Sequence, residues 1–207
     1  MKPFKHNNIL DNRIRRDNEN YNLEFIDKLN INLNPNEYEG WYDLSKSNDG
    51  NAYHTVWLKN IDRLMNIIPL EINISQYHFY DVGCGLGIST LYFEENYKFK
   101  SYNGFDYSKQ LIATGKMIIN RLKKQNSINF FVGNANDLKL DKDKPYLLFM
   151  FNPFGLETFN SFLLNNLKCL KKNNSIILYA NDLYINEIDS YQKIYRNDFF
   201  NLSVILF

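Results

Sequence analysis

The chain has 207 residues and a net charge of +1, with 24 Lys and Arg against 23 Asp and Glu. That length suits one domain with a full core, and so even a balance gives no extended field for a polyanion, so binding along a nucleic-acid duplex is not implied. Two cysteines, Cys84 and Cys169, supply neither a disulfide framework nor a zinc ligand set.

The opening residues run through Met1, Lys2, Pro3, Phe4, Lys5 and His6 into polar sequence without a signal-peptide core. No apolar run approaches the ~20 residues of a membrane span, so a cytoplasmic protein with no membrane partner is expected. The chain is rich in Asn, Lys, Ile and Tyr. Coding bias explains that as well as selection does, so isolated Asn residues carry no weight.

Up to about residue 35, Leu10, Ile14, Tyr21, Phe25 and Leu29 mark one face of a helix or two. Arg13, Arg15 and Arg16 form a short basic cluster that reads as a solvated face. Asn34-Pro35-Asn36 breaks the helix. The following loop carries Tyr38, Trp41 and Tyr42 close together, aromatics that either plug the core or line a site. A second helix is predicted from Ala52, with Val56, Trp57, Ile61, Leu64, Met65 and Ile68 at helical spacing and Pro69 at its end. Residues 1–52 thus read as an N-terminal helical and loop extension serving as a lid, and 53–207 as the main domain.

From Phe79 the rhythm alternates. Strands are predicted over 79–82, 102–105, 128–132, 146–151 and 175–179, with helices over 87–97, 108–124 and 155–170. Such alternation predicts a parallel sheet with helices on both faces and a ligand at the carboxyl edge of its strands. Two strand-like runs, 190–196 and 201–207, are joined too closely for a crossover and predict an antiparallel hairpin. The fold class is α/β, a Rossmann-like seven-stranded sheet, mostly parallel.

The first of these strands runs into Asp81-Val82-Gly83-Cys84-Gly85-Leu86-Gly87. Glycines let backbone approach a ligand, and the helix that opens there aims unpaired N–H groups into the same space. A dinucleotide fingerprint needs glycine where Ile88 stands, and no Gly-Lys-Ser/Thr follows for a P-loop. The second strand ends at Asp106, nineteen residues after Gly87, where a carboxylate can accept from both hydroxyls of a ribose. The third ends at Gly133-Asn134-Ala135-Asn136-Asp137, and the fourth opens into Asn152-Pro153-Phe154.

This series resembles motifs I, II and IV of the class I S-adenosylmethionine-dependent methyltransferases. Asn152-Pro153-Phe154 is close to the Asn-Pro-Pro-aromatic signature of enzymes that methylate exocyclic amines and amides, although the second Pro is missing. There the Asn side chain and a neighbouring carbonyl accept from the target NH₂. Tyr53, Asn152-Pro153-Phe154 and Tyr179-Ala180-Asn181-Asp182 also resemble a group of small bacterial methyltransferases whose members often accompany surface-polysaccharide genes.

The resemblance implies S-adenosylmethionine as methyl donor and S-adenosylhomocysteine as product, and no residue is singled out as a metal ligand. It places Tyr53, Asp81, Gly83, Cys84, Gly85, Gly87, Asp106, Tyr107, Asn134, Ala135, Asn136, Asp137 and Asn152 around the cofactor. Asn134 stands where the family commonly has an Asp accepting from the adenine amine, so Asn134, Asp137 or backbone near Ala135 takes that part. Asn152, Pro153 and Phe154 fall at the methyl acceptor.

An oxygen acceptor also needs a general base, and the histidines are His6, His54 and His78. His54 is the candidate, beside the aromatic loop, histidine being the side chain most often used as a general base. A small polar or sugar-linked acceptor is expected. The alternatives are N-methylation of a nucleobase or protein side chain, and a non-catalytic scaffold of the same fold.

Overall fold

The all-apolar run Tyr146–Phe151 forms β4, in the middle of a seven-stranded sheet. The computed structural model describes residues 9–31, 34–41 and 49–207; His6 and Tyr42 lie outside them. The other strands are β1 (His78–Val82), β2 (Ser101–Asp106), β3 (Ile128–Val132), β5 (Ile176–Ala180), β6 (Lys193–Asn197) and β7 (Leu202–Leu206). Their spatial order is β3-β2-β1-β4-β5-β7-β6. The first five pair in parallel, while β7 runs antiparallel to both β5 and β6. The expected parallel sheet with a C-terminal antiparallel hairpin is the sheet observed.

The helices are α1 (Ile9–Lys28), α2 (Leu58–Met65), α3 (Ile88–Asn96), α4 (Lys109–Arg121) and α5 (Leu156–Lys172). Side chains alternate along β4, so the sheet has a core on each face. Leu147 and Phe149 join the core built with α1 to α4; Tyr146, Leu148 and Met150 join the one under α5. Helices on opposite faces follow from right-handed crossovers running outward from β1 and β4. Every parallel strand therefore ends on one edge.

Two features differ from the expectation. Helix α2 starts at Leu58, not at Ala52, and residues 51–57 are without helix. Periodicity cannot see the cause, which lies on α1. Asn22 donates to the Val56 carbonyl at 2.8 Å and accepts from the Leu58 N–H at 2.9 Å, so it caps α2 from another helix. The segment before it is held extended by Tyr53 N–H donating to the Trp41 carbonyl and Gly40 N–H to the Tyr53 carbonyl, both at 2.9 Å. Secondly, α1 is more than a cover: Phe25 and Ile26 are buried in the same core as α2 and α3.

Candidate active site

A cavity of about 430 Å³ opens at the carboxyl edge of the parallel strands. Its floor is the turn after β1. Gly83, Gly85 and Gly87 have φ of 75°, 54° and 78°, the left-handed region that favours glycine, so the alternate spacing is a backbone requirement at all three. Cβ atoms at Gly83 and Gly85 would fall 2.3 Å from Pro153 Cβ and 2.2 Å from the Tyr53 ring. The turn is therefore walled by Pro153 on one side and Tyr53 on the other.

Asp106 ends β2 and lines the cavity. Its Oδ2 accepts from the Gly85 N–H at 2.9 Å and its Oδ1 from the Ser108 N–H at 2.8 Å. Burial raises its pKa, and those two N–H groups pull it down. An ionised carboxylate has about four acceptor positions, so two remain for a ligand. Tyr107, Asn134 and Ala135 share this end of the cavity with the apolar Phe105 and Leu111. Asn134 Oδ1 already accepts from the Asn136 N–H at 3.0 Å. Asn136 and Asp137 are exposed and are not on the cavity wall.

Asp81 is buried beneath the turn, where its Oδ2 accepts from the Ser89 and Thr90 hydroxyls at 2.6 and 2.7 Å. That ties the start of α3 to the end of β1. Burial pushes its carboxyl up to about 6. It faces a recess of about 20 Å³ shared with Tyr53, Cys84 and Phe149, not the main cavity. Burial likewise pushes the Cys84 thiol up and the Tyr53 hydroxyl up.

At the other end stand Asn152, Pro153 and Phe154, with Trp41, Thr158, Asn181 and Leu183 around them. Asn152 and Asn181 directly follow β4 and β5 with φ of 42° and 53°, which Asn tolerates better than other side chains. Asn152 Oδ1 is buried and has no hydrogen-bond partner. Phe154 is buried against Phe162, ring centres 6.3 Å apart, with one face on the cavity.

The backbone of this stretch is clamped from the N-terminal loop. Asn51 N–H donates to the Pro153 carbonyl at 3.0 Å, and Asn51 Nδ2 to the Asn152 carbonyl at 2.7 Å. Asp49 accepts from the Thr158 N–H at 2.8 Å, and its carbonyl accepts from the Gly155 N–H at 2.7 Å, so it caps α5. His54 lies on the rim, its Nδ1 2.5 Å from Glu39 Oε2. His78 is away from the cavity and is bonded to Ser101 Oγ at 2.8 Å.

Sequence reasoning passed over Glu39, Asp49 and Asn51. The one available signal was Gly50, a turn residue between two polar side chains. Among the described residues no group of three or more His, Cys, Asp or Glu could hold a metal ion. No helix among them is long and apolar enough to cross a membrane.

Residues 79–173 match the family model described as a methyltransferase domain. No curated protein matches the chain. Among solved structures, the chain is similar to the MccD protein at 21% identity and a TM-score of 0.47, covering 58% of this chain and 51% of that one. It therefore spans about half the length of that relative. It is also similar to TrmK of M. capricolum in complex with S-adenosyl-homocysteine, at 14% identity and a TM-score of 0.48, over 74% of this chain and 68% of that one. A methyltransferase from Thiobacillus denitrificans in complex with S-adenosyl-L-homocysteine is similar at 15% identity and a TM-score of 0.42, over 59% and 46% of the two chains.

Proposed function

We propose that this chain, whose residues 79–173 match a methyltransferase-domain model, is a class I S-adenosylmethionine-dependent methyltransferase that methylates a hydroxyl of a small, neutral, sugar-like acceptor. The residues present fit the cofactor. Asp106 has two acceptor positions to spare for ribose hydroxyls, and Phe105, Leu111 and Ala135 give an adenine ring an apolar slot beside it. Bound there, S-adenosylmethionine supplies an electrophilic methyl on a sulfonium, whose C–S electron pair stays with sulfur as the acceptor oxygen forms the new C–O bond.

The chain's own part is to align the acceptor and receive its proton. The observation that carries the hydroxyl reading is that Asn51 N–H already occupies the Pro153 carbonyl. Orienting an NH₂ takes two acceptors; the Pro153 carbonyl keeps one lone pair beside Asn51, and the buried acceptor without any partner among the described residues is Asn152 Oδ1. One acceptor suits a single O–H on a polyol, whose neighbouring hydroxyl is the one that reacts. The described residues lining the cavity include no Lys or Arg, which gives a phosphate or carboxylate nothing to pair with. Trp41 offers an apolar face for a sugar ring. His54 on the rim takes the proton, and the segments 34–41 and 49–57 serve as the lid. A setting in polysaccharide biosynthesis agrees with such an acceptor.

The second reading, N-methylation of a nucleobase or protein side chain, rests on Asn152-Pro153-Phe154 and requires the Pro153 carbonyl to accept from the substrate through its second lone pair, beside Asn51. The experiment is methyl transfer from isotopically labelled S-adenosylmethionine to a panel of methyl glycosides and inositol, set against adenosine and Lys- or Gln-containing peptides. Label in the glycosides alone supports the proposal. Label in the amines or amides alone overturns it.

A further inference from the structure

On the rim of the cavity, Glu39 makes two contacts with the segment that covers the cofactor turn. Its Oε1 accepts from the Thr55 N–H at 2.7 Å, and its Oε2 lies 2.5 Å from His54 Nδ1. The loop carrying Glu39 is itself fixed, because Gly40 N–H donates to the Tyr53 carbonyl and Tyr53 N–H to the Trp41 carbonyl. An isolated ion pair on a surface does little. This one differs in that a main-chain N–H sets the carboxylate in place from the same segment that carries the histidine.

We propose that Glu39 is a positioning residue that holds His54 in the Nδ1–H tautomer, leaving Nε2 as the proton acceptor for the substrate hydroxyl. An ionised carboxylate only accepts, so Nδ1 must donate to it. In the neutral ring the other nitrogen, Nε2, then bears the lone pair, on a side chain that lines the cavity. The hydroxyl proton passes to Nε2 as the acceptor oxygen gains its methyl. The resulting imidazolium would sit against the Glu39 carboxylate, a site already paired with a negative charge. Free histidine favours the opposite, Nε2–H, tautomer, so the proposal assigns Glu39 a specific task. It rests on the hydroxyl reading above.

The test needs no acceptor for its first arm. The full chain has three histidines, so long-range ¹H–¹⁵N spectra of uniformly labelled protein at about pH 8.5, with and without S-adenosylhomocysteine, resolve each ring; His54→Ala assigns the signal. The expected result is His54 as Nδ1–H in the wild type and mainly Nε2–H in Glu39→Gln. The glutamine carbonyl can still serve the Thr55 N–H, but its NH₂ then faces Nδ1 and forces it to accept. Calorimetry with S-adenosylhomocysteine should give the same affinity for both proteins, which shows that the fold and cofactor site survive.

In the second arm, with the methyl glycoside that takes label, Glu39→Gln should lose roughly 100-fold in kcat. The Glu39→Gln/His54→Ala pair should be no slower than His54→Ala alone, since residues acting as a unit are not additive. A wild-type His54 in the Nε2–H form, or losses that add, overturns the dyad while the hydroxyl reading stands. The stated tautomer in a protein that labels only amines overturns the hydroxyl reading and the base role together.

Discussion

Pro153 occupies the space that a side chain at Gly83 would need: a Cβ there would lie 2.3 Å from Pro153 Cβ. The turn after β1 and the turn after β4 are thus in direct contact, and the floor of the cavity cannot move without its acceptor end. Gly83→Ala adds left-handed strain of about 1–3 kcal/mol to overpacking of about 1–3 kcal/mol. Thermal unfolding should show Tm lowered by at least about 4 °C. A Tm within about 1 °C of wild type would mean that the two turns are not in register as described.

Asp81 gives the protein a pH dependence of definite sign. Its carboxyl stands at about 6 in the fold against an ordinary 3.8, with burial as the main cause. Because the folded value is the higher one, the protonated group favours folding. That contribution is complete below about pH 4 and is lost as pH rises through about 6, a change of order 3 kcal/mol. Asp81→Asn keeps an acceptor for Ser89 and Thr90 without the charge. Urea unfolding should find this variant more stable than wild type at pH 7.5 and nearly equal at pH 4. Equal destabilisation at both would contradict the assignment.

Asn152 separates hydroxyl from amine chemistry. Its φ of 42° makes Asn152→Gly a cleaner truncation than alanine, since glycine accepts that backbone without strain. With one hydrogen bond to a neighbouring hydroxyl at stake, kcat/KM for a glycoside should fall by roughly 3- to 10-fold. A loss of about 100-fold or more, confined to kcat, would mark Asn152 as a partner of the reacting group itself and favour the amine reading.

The sheet was legible because its strands are short apolar runs between clear turn residues, and β4 is apolar at every position. The cofactor turn was legible because the three left-handed positions all carry glycine. What could not be read were contacts made across the chain by side chains of ordinary type. Asn22 caps a helix 36 positions away, and Asn51 holds a carbonyl 101 positions away. Asparagine is common in this chain, so nothing distinguishes these two locally. Glu39 was hidden for the same reason: its meaning depends on His54, brought beside it by a pairing of irregular segments that leaves no periodic trace.

The cofactor site is tested most directly by titrating the wild-type chain with S-adenosylhomocysteine in a calorimeter, alongside Asp106→Asn. Saturable binding at one site per chain is expected, weakened roughly 10- to 100-fold in the variant as charge-assisted hydrogen bonds to the ribose are lost. Absence of heat with the wild type, or equal affinity in the two proteins, would contradict a ribose held by Asp106.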